Sequence, residues 1–201
     1  MKQKTMKVGI FGGTFDPIHF GHINLAIEML ETHHLDEIWF CPARINPHKM
    51  QMQTLSIEHR IKMLQLALEG VPQCKVENIE AGREGPSYTI DTIRALIERE
   101  QKKTKPSTLC LILGDEAYSG FSQWKEPDEI IKLVPIILGR RKLKKDDVID
   151  PKKPLEVSTT RLMEISSTDI RRRIAEGLYC GHLVPAKVLD YIYVNKLYSK
   201  D

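Results

Sequence analysis

A chain of 201 residues with 41% hydrophobic and 28% charged residues can build one well-cored domain, but is too short for two large ones without a visible linker. These fractions argue against disorder or a fibrous architecture, and a net charge of +3 is too small to make nucleic acid the expected partner. No apolar run of about 18 residues occurs, so no membrane span is expected, and the basic start Met1 to Lys7 lacks a signal peptide's apolar core.

Taken in chain order, short runs rich in Val, Ile, Leu and Phe predict strands at Val8 to Phe11, Ile38 to Cys41, more weakly Val76 to Ile79, then Leu109 to Leu113 and Val134 to Leu138. Helical stripes fall between and after them: Ile23, Ala26, Ile27 and Leu30; Ile57, Ile61, Leu64 and Leu68; and Ile90, Ile93 and Ile97, with a loop entering a helix over Ile165 to Ile174 and a closing helix over Val188 to Leu197. Alternating strand and helix predicts an α/β fold, Rossmann-like and doubly wound on a mainly parallel sheet, with a small C-terminal helical part. The whole chain, 1–201, is expected to be one cytosolic domain. The basic stretch Arg140 to Pro154, with its Asp and Pro residues, reads as a surface loop. Cys41, Cys74, Cys110 and Cys180 are widely spread, with neither Cys-x-x-Cys nor zinc-type spacing, and are expected as reduced, mostly buried thiols without a metal.

Two segments carry chemistry. The first strand runs into Gly12-Gly13, where backbone amides can approach a phosphate without a Cβ in the way. Thr14-Phe15-Asp16-Pro17 follows, then His19 and His22 around Gly21 where a helix begins. Histidines three apart there point to one side, and the helix start favours anions whose charge shifts during transfer. The second segment is Ile165-Ser166-Ser167-Thr168-Asp169-Ile170-Arg171. Ser166 and Asp169 have capping-box spacing. Three hydroxyls and Arg171, Arg172 and Arg173 at one helix start exceed what a cap needs, and an anion there would offset the unfavourable cations.

Between these segments, Asn46-Pro47-His48-Lys49 follows the second strand, and Gly85 to Thr89 leads into the third helix. Gly114-Asp115 closes the most apolar strand, where Asp115 is either a ribose-hydroxyl acceptor or the cap of the next helix. Trp124-Lys125 lies in a polar loop, suited to stacking on a flat heterocycle or to anchoring the loop. Arg140-Arg141 ends the next strand.

The His19-Phe20-Gly21-His22 and Ile165 to Arg171 segments resemble the two signatures of the nucleotidyltransferase superfamily that shares His-x-Gly-His with class I aminoacyl-tRNA synthetases. Synthetases themselves are disfavoured, because the second signature is not Lys-Met-Ser-Lys-Ser and the chain is short. With Pro47-His48-Lys49, Pro86 to Thr89, Thr92, Gly114-Asp115, Trp124 and Arg141, the chain from Met6 to about Leu197 resembles the nicotinate mononucleotide adenylyltransferases. One departure, Ala43 to Asn46 where a second proline is expected before Pro47, leaves the local loop shape open.

The resemblance implies ATP and nicotinate mononucleotide as substrates, deamido-NAD and pyrophosphate as products, and Mg²⁺ carried on the phosphates. It implies catalytic roles for His19, His22, Lys49 and Arg171. Gly12, Gly13, Thr14, Phe15, Gly21, Gly114, Asp115, Ile165, Ser166, Ser167 and Thr168 would bind ATP, and Tyr88, Thr89, Trp124, Lys125 and Arg141 the acceptor. Nicotinamide mononucleotide or phosphopantetheine adenylyl transfer, and a non-catalytic nucleotide-binding regulator, stay as alternatives. The oligomeric state, homo-oligomer included, is left open.

Overall fold

The computed structural model describes residues 5–47, 53–140, 155–161 and 163–199. Six strands, β1 Lys7–Gly13, β2 Glu37–Pro42, β3 Cys74–Val76, β4 Thr108–Gly114, β5 Ile136–Arg140 and β6 Leu155–Thr159, form a sheet in the order β3-β2-β1-β4-β5-β6. Every described pairing is parallel. This is the doubly wound order, which reverses direction between β1 and β4 and so opens a crevice at their carboxyl ends.

Side-chain alternation along the strands builds the two faces. Ile38 and Phe40 of β2, with Cys110 and Ile112 of β4, join one core under α1 Phe20–Thr32, α2 Ile57–Ala67, α6 Ser167–Ala175 and α7 Ala186–Val194. Trp39 and Cys41, with Leu109, Leu111 and Leu113, join the other under α3 Thr89–Gln101 and α5 Pro127–Leu133. Strands buried on both faces must be apolar throughout, which is why their continuous runs were visible. All four cysteines are buried and free, and burial pushes the thiols of Cys74 and Cys110 up to about 11 and about 12.

Several boundaries differ from expectation. The third strand lies at Cys74–Val76, before the expected position, and β5 begins at Ile136, because Val134 ends α5 and Pro135 follows it. Helix α1 starts at Phe20, and α7 ends at Val194 instead of Leu197. The short helix α4, Asp115–Ser119, a 3₁₀ turn at Phe121–Gln123 and α5 fill a stretch too short for a legible period. Strand β6 was also unforeseen. As an edge strand it alternates: Val157 packs toward one core, while Glu156 and Ser158 meet the two ring nitrogens of His33 at the end of α1, at 2.9 and 2.8 Å. Residues 141–154 of the expected basic loop lie outside the described residues.

Candidate active site

The crevice at the strand switch point holds a cavity of about 580 Å³. It runs from the β1–α1 turn and the start of α6 to Tyr88, Thr89, Trp124 and Lys125. All expected site residues that are described line it; Lys49 and Arg141 lie outside the described residues.

The β1–α1 turn is shaped by packing beneath it. A Cβ on Gly13 would fall 2.8 Å from the Phe15 ring, so only glycine lets that ring fold under the strand end. Phe15 itself takes φ +51, is 2% exposed and lies edge-on to His22 with ring centroids 5.1 Å apart. Its ring is thus a floor for the expected nucleotide site, not an aromatic face open to a ligand.

His19 occupies the N-cap of α1 with extended backbone, and its Nδ1 accepts the N–H of His22 at 3.3 Å. An acceptor role at Nδ1 assigns the proton to Nε2, making His19 a neutral donor. The His19 and His22 rings stack with centroids 3.7 Å apart. Gly21 permits this: a Cβ there would sit 3.1 Å from His19 Nδ1.

Burial lowers His19 from its ordinary 6.5 to about 4. Between those values the unfolded chain binds a proton that the native state refuses. The contribution of His19 is therefore fully present above pH 6.5 and is lost as pH falls toward 4, by about 3 kcal/mol in all. Urea unfolding of His19→Gln should accordingly show a weaker loss of stability between pH 7 and 5 than the parent; parallel losses would overturn the neutral assignment.

At α6, Ser166 is the N-cap and its hydroxyl accepts from Asp169 N–H at 3.1 Å, as the capping-box spacing predicted. The next residues join the two signature segments. Ser167 Oγ donates to Pro17 O at 2.9 Å, and Arg171 Nη1 donates to Asp16 O at 2.7 Å while Nη2 reaches Thr168 Oγ1 at 3.3 Å. Asp16 is 2% exposed and accepts from Tyr198 Oη at 2.6 Å. Burial, and then the Asp16 carboxylate, push the Tyr198 phenol well up, so it stays a donor. Of the three arginines, Arg172 pairs with Asp169 and Glu176 along its own helix and Arg173 donates to Tyr179 O. Arg171 is the one among them that lines the cavity.

At the other end, the segment lacking a second proline is shaped by hydrogen bonds. Asn46 Nδ2 donates to Thr14 Oγ1 at 2.9 Å, Ser87 N–H to Ile45 O at 2.8 Å, and Arg44 N–H to Ser87 Oγ at 2.9 Å. Tyr88 precedes α3 without a side-chain cap, so the helix start at Thr89 opens on the cavity. The half-buried Trp124 leans on Phe121 with centroids 5.3 Å apart, and the Lys125 ammonium lies 4.8 Å from the Tyr88 ring centroid. Gly114, not Asp115, occupies the N-cap of α4; the Asp115 carboxylate faces Arg140 at 3.5 Å.

Two buried polar residues were missed by sequence reasoning. Arg60, 1% exposed, donates to the carbonyls of Thr14, Ala43, Arg44 and Leu55 at 2.7 to 3.1 Å, fastening the loops after β1 and β2 together. Glu80, 5% exposed, accepts from Thr92 Oγ1 at 2.7 Å and lines the cavity beside Ser87. Burial raises its carboxyl, opposed by the Ser87 and Thr92 hydroxyls. Their only sequence trace is a polar residue on a helix's buried stripe or beside a turn, since their partners come from distant loops.

A parallel sheet with a glycine turn, paired imidazoles and a hydroxyl-rich helix start at its switch point is the architecture of a nucleotidyltransferase. The cytidylyltransferase-like family model matches residues 10–173. The nicotinate-nucleotide adenylyltransferase of Bacillus subtilis is 38% identical over 193 residues, covering 96% of this chain and 98% of that protein. The Plasmodium falciparum nicotinic acid mononucleotide adenylyltransferase complexed with NaAD superposes with a TM-score of 0.80 at 18% identity, over 96% of this chain and 97% of that one. Its complex with APC gives 0.78. The chain belongs to the nicotinate-nucleotide adenylyltransferase family and is an enzyme of the nucleotidyltransferase class.

Proposed function

We propose that this chain, acting as a single cytosolic domain, transfers the adenylyl group of ATP to nicotinate mononucleotide. The observation that carries the reading is one continuous cavity with paired histidines and Arg171 at one end and Tyr88, Thr89 and Trp124 at the other. Its volume of about 580 Å³ falls in the usual range for small-molecule sites. The activity named for the B. subtilis relative supports the same choice.

In this reading an oxygen of the acceptor's phosphate attacks the α-phosphorus of ATP, and the bond from that phosphorus to the bridging oxygen breaks, pyrophosphate leaving with the electron pair. The attacking oxygen is already anionic, so no strong general base is needed. Catalysis rests on alignment and on neutralising charge on the leaving group. His19 Nε2–H and His22 donate to phosphoryl oxygens, and Ser166, Ser167, Thr168 and Arg171 hold the outer phosphates with the α6 amides. The Gly12 to Phe15 turn, Gly21, Gly114 and Ile165 shape the ATP site, and Asp115 meets ribose. Lys49 keeps the catalytic role, and Arg141 the acceptor-binding role, that the resemblance implies. Mg²⁺, which the resemblance implies, would be carried on the phosphates held by Ser166, Ser167, Thr168 and Arg171 and would supply further charge neutralisation there. The indole of Trp124 stacks on the pyridinium ring, and the uncapped α3 start favours a carboxylate nearby.

The test is pyrophosphate release with ATP and, in turn, nicotinate mononucleotide, nicotinamide mononucleotide and phosphopantetheine. The first should be turned over with the highest kcat/KM. Preference for either of the others, or ATP binding without release, would reject the assignment, and trapping an adenylylated enzyme would reject direct attack.

A further inference from the structure

Trp124 is followed directly by two ion pairs of opposite polarity that both end on α3. Lys125 Nζ meets the Asp91 carboxylate at 3.0 and 3.3 Å. On the other side of that peptide, Glu126 meets Arg94 in a two-point contact, Nη2 to Oε2 at 2.7 Å and Nη1 to Oε1 at 3.3 Å. Asp91 and Arg94 are three residues apart and therefore share one side of α3, whose first turn supplies Thr89 to the cavity. Asp91, Arg94 and Glu126 do not line the cavity themselves.

The segment these pairs hold has reason to need holding. Glu126 is in the left-handed region at φ +53, which favours glycine, and it begins α5 by accepting the N–H groups of Glu129 and Ile130. Trp124 precedes it with extended backbone, its ring in contact with the Phe121 side chain and with the cavity. Crossed charges also fix register. Sliding the loop one way along α3 would bring Lys125 toward Arg94, and sliding it the other way would bring Glu126 toward Asp91, so either slip replaces attraction with a like-charge encounter.

Resting on the adenylyltransferase reading, we infer that Arg94 and Glu126 are positioning residues for the acceptor, their ion pair setting the Trp124 indole against the start of α3 together with Asp91–Lys125. The four side chains are 37 to 45% exposed, so the effect is modest and salt-sensitive.

The experiment is a charge swap. Arg94→Glu and Glu126→Arg, made singly, should each raise KM for nicotinate mononucleotide about three- to tenfold, leaving KM for ATP and kcat within about twofold. The double variant should recover the parent KM to within about twofold, and the differences should shrink at about 1 M salt. Acrylamide quenching of tryptophan fluorescence reads the same device without turnover. Trp39 is 5% exposed and shielded, so the quenchable signal reports Trp124. Each single variant should increase quenching and the swap should reverse it. Single variants indistinguishable from the parent, or a double variant no better than the singles, in both measurements would overturn the inference. If the parent fails to turn over nicotinate mononucleotide, the substrate reading falls, while quenching still decides whether the pairs position the indole.

Discussion

Replacing His22 with alanine should lower kcat about a hundred- to a thousandfold while changing the Kd for ATP by no more than about threefold. The size follows from what one preorganised donor contributes when negative charge moves onto leaving oxygens, about 3 to 4 kcal/mol of transition-state stabilisation. His22 is suited to it: its backbone N–H is taken by His19 Nδ1, its ring is stacked on His19 and lies edge-on to Phe15, and it lines the cavity. A ring held by packing on two sides loses little entropy when charge develops. Pre-steady-state turnover and equilibrium ATP binding, measured on a variant whose melting temperature matches the parent, separate the two quantities. An unchanged kcat would remove His22 from the chemistry, and equal losses in kcat/KM and ATP affinity would make it a binding residue only.

Arg60→Met should destabilise the fold by about 3 to 5 kcal/mol, read as a fall in the urea midpoint with little change in slope. The guanidinium is buried and its hydrogen bonds go to main-chain carbonyls of Thr14, Ala43, Arg44 and Leu55. Methionine fills much of the same volume but leaves those acceptors without their donor. Arg60→Lys should recover only part of the loss, because an ammonium offers three donors from one point where the guanidinium reaches several directions. A change below about 1 kcal/mol for Arg60→Met would show that the loops hold each other without it.

The readable and unreadable parts of the site divide along a physical line. Gly12-Gly13, His19-x-Gly-His22 and the Ser166 cap each act within one turn of their own backbone. A strand end, a helix cap and a capping hydroxyl are local geometries, and local spacing records them. The cap at Ser166 and the side shared by His19 and His22 were legible for that reason. The strands were legible because burial on both faces demands unbroken apolar runs, while β6, wet at the edge and alternating, carried no such run.

By itself the sequence determined the parallel α/β architecture and the two segments that flank the crevice, since each rests on periodicity or short spacing, and it indicated the family through the resemblance those segments carry. Only the tertiary structure decided how those segments are used. Phe15 turned under Gly13 as a floor beside Phe40, Arg171 was drawn to Asp16 O, and Asp115 faced Arg140. Arg60 and Glu80 became structural hubs because folding brought carbonyls and hydroxyls from separate loops within about 3 Å of them. The physical reason is common to all of these. Desolvation and hydrogen-bond pairing are set by which distant atoms surround a group in space, and no spacing along the chain encodes that directly.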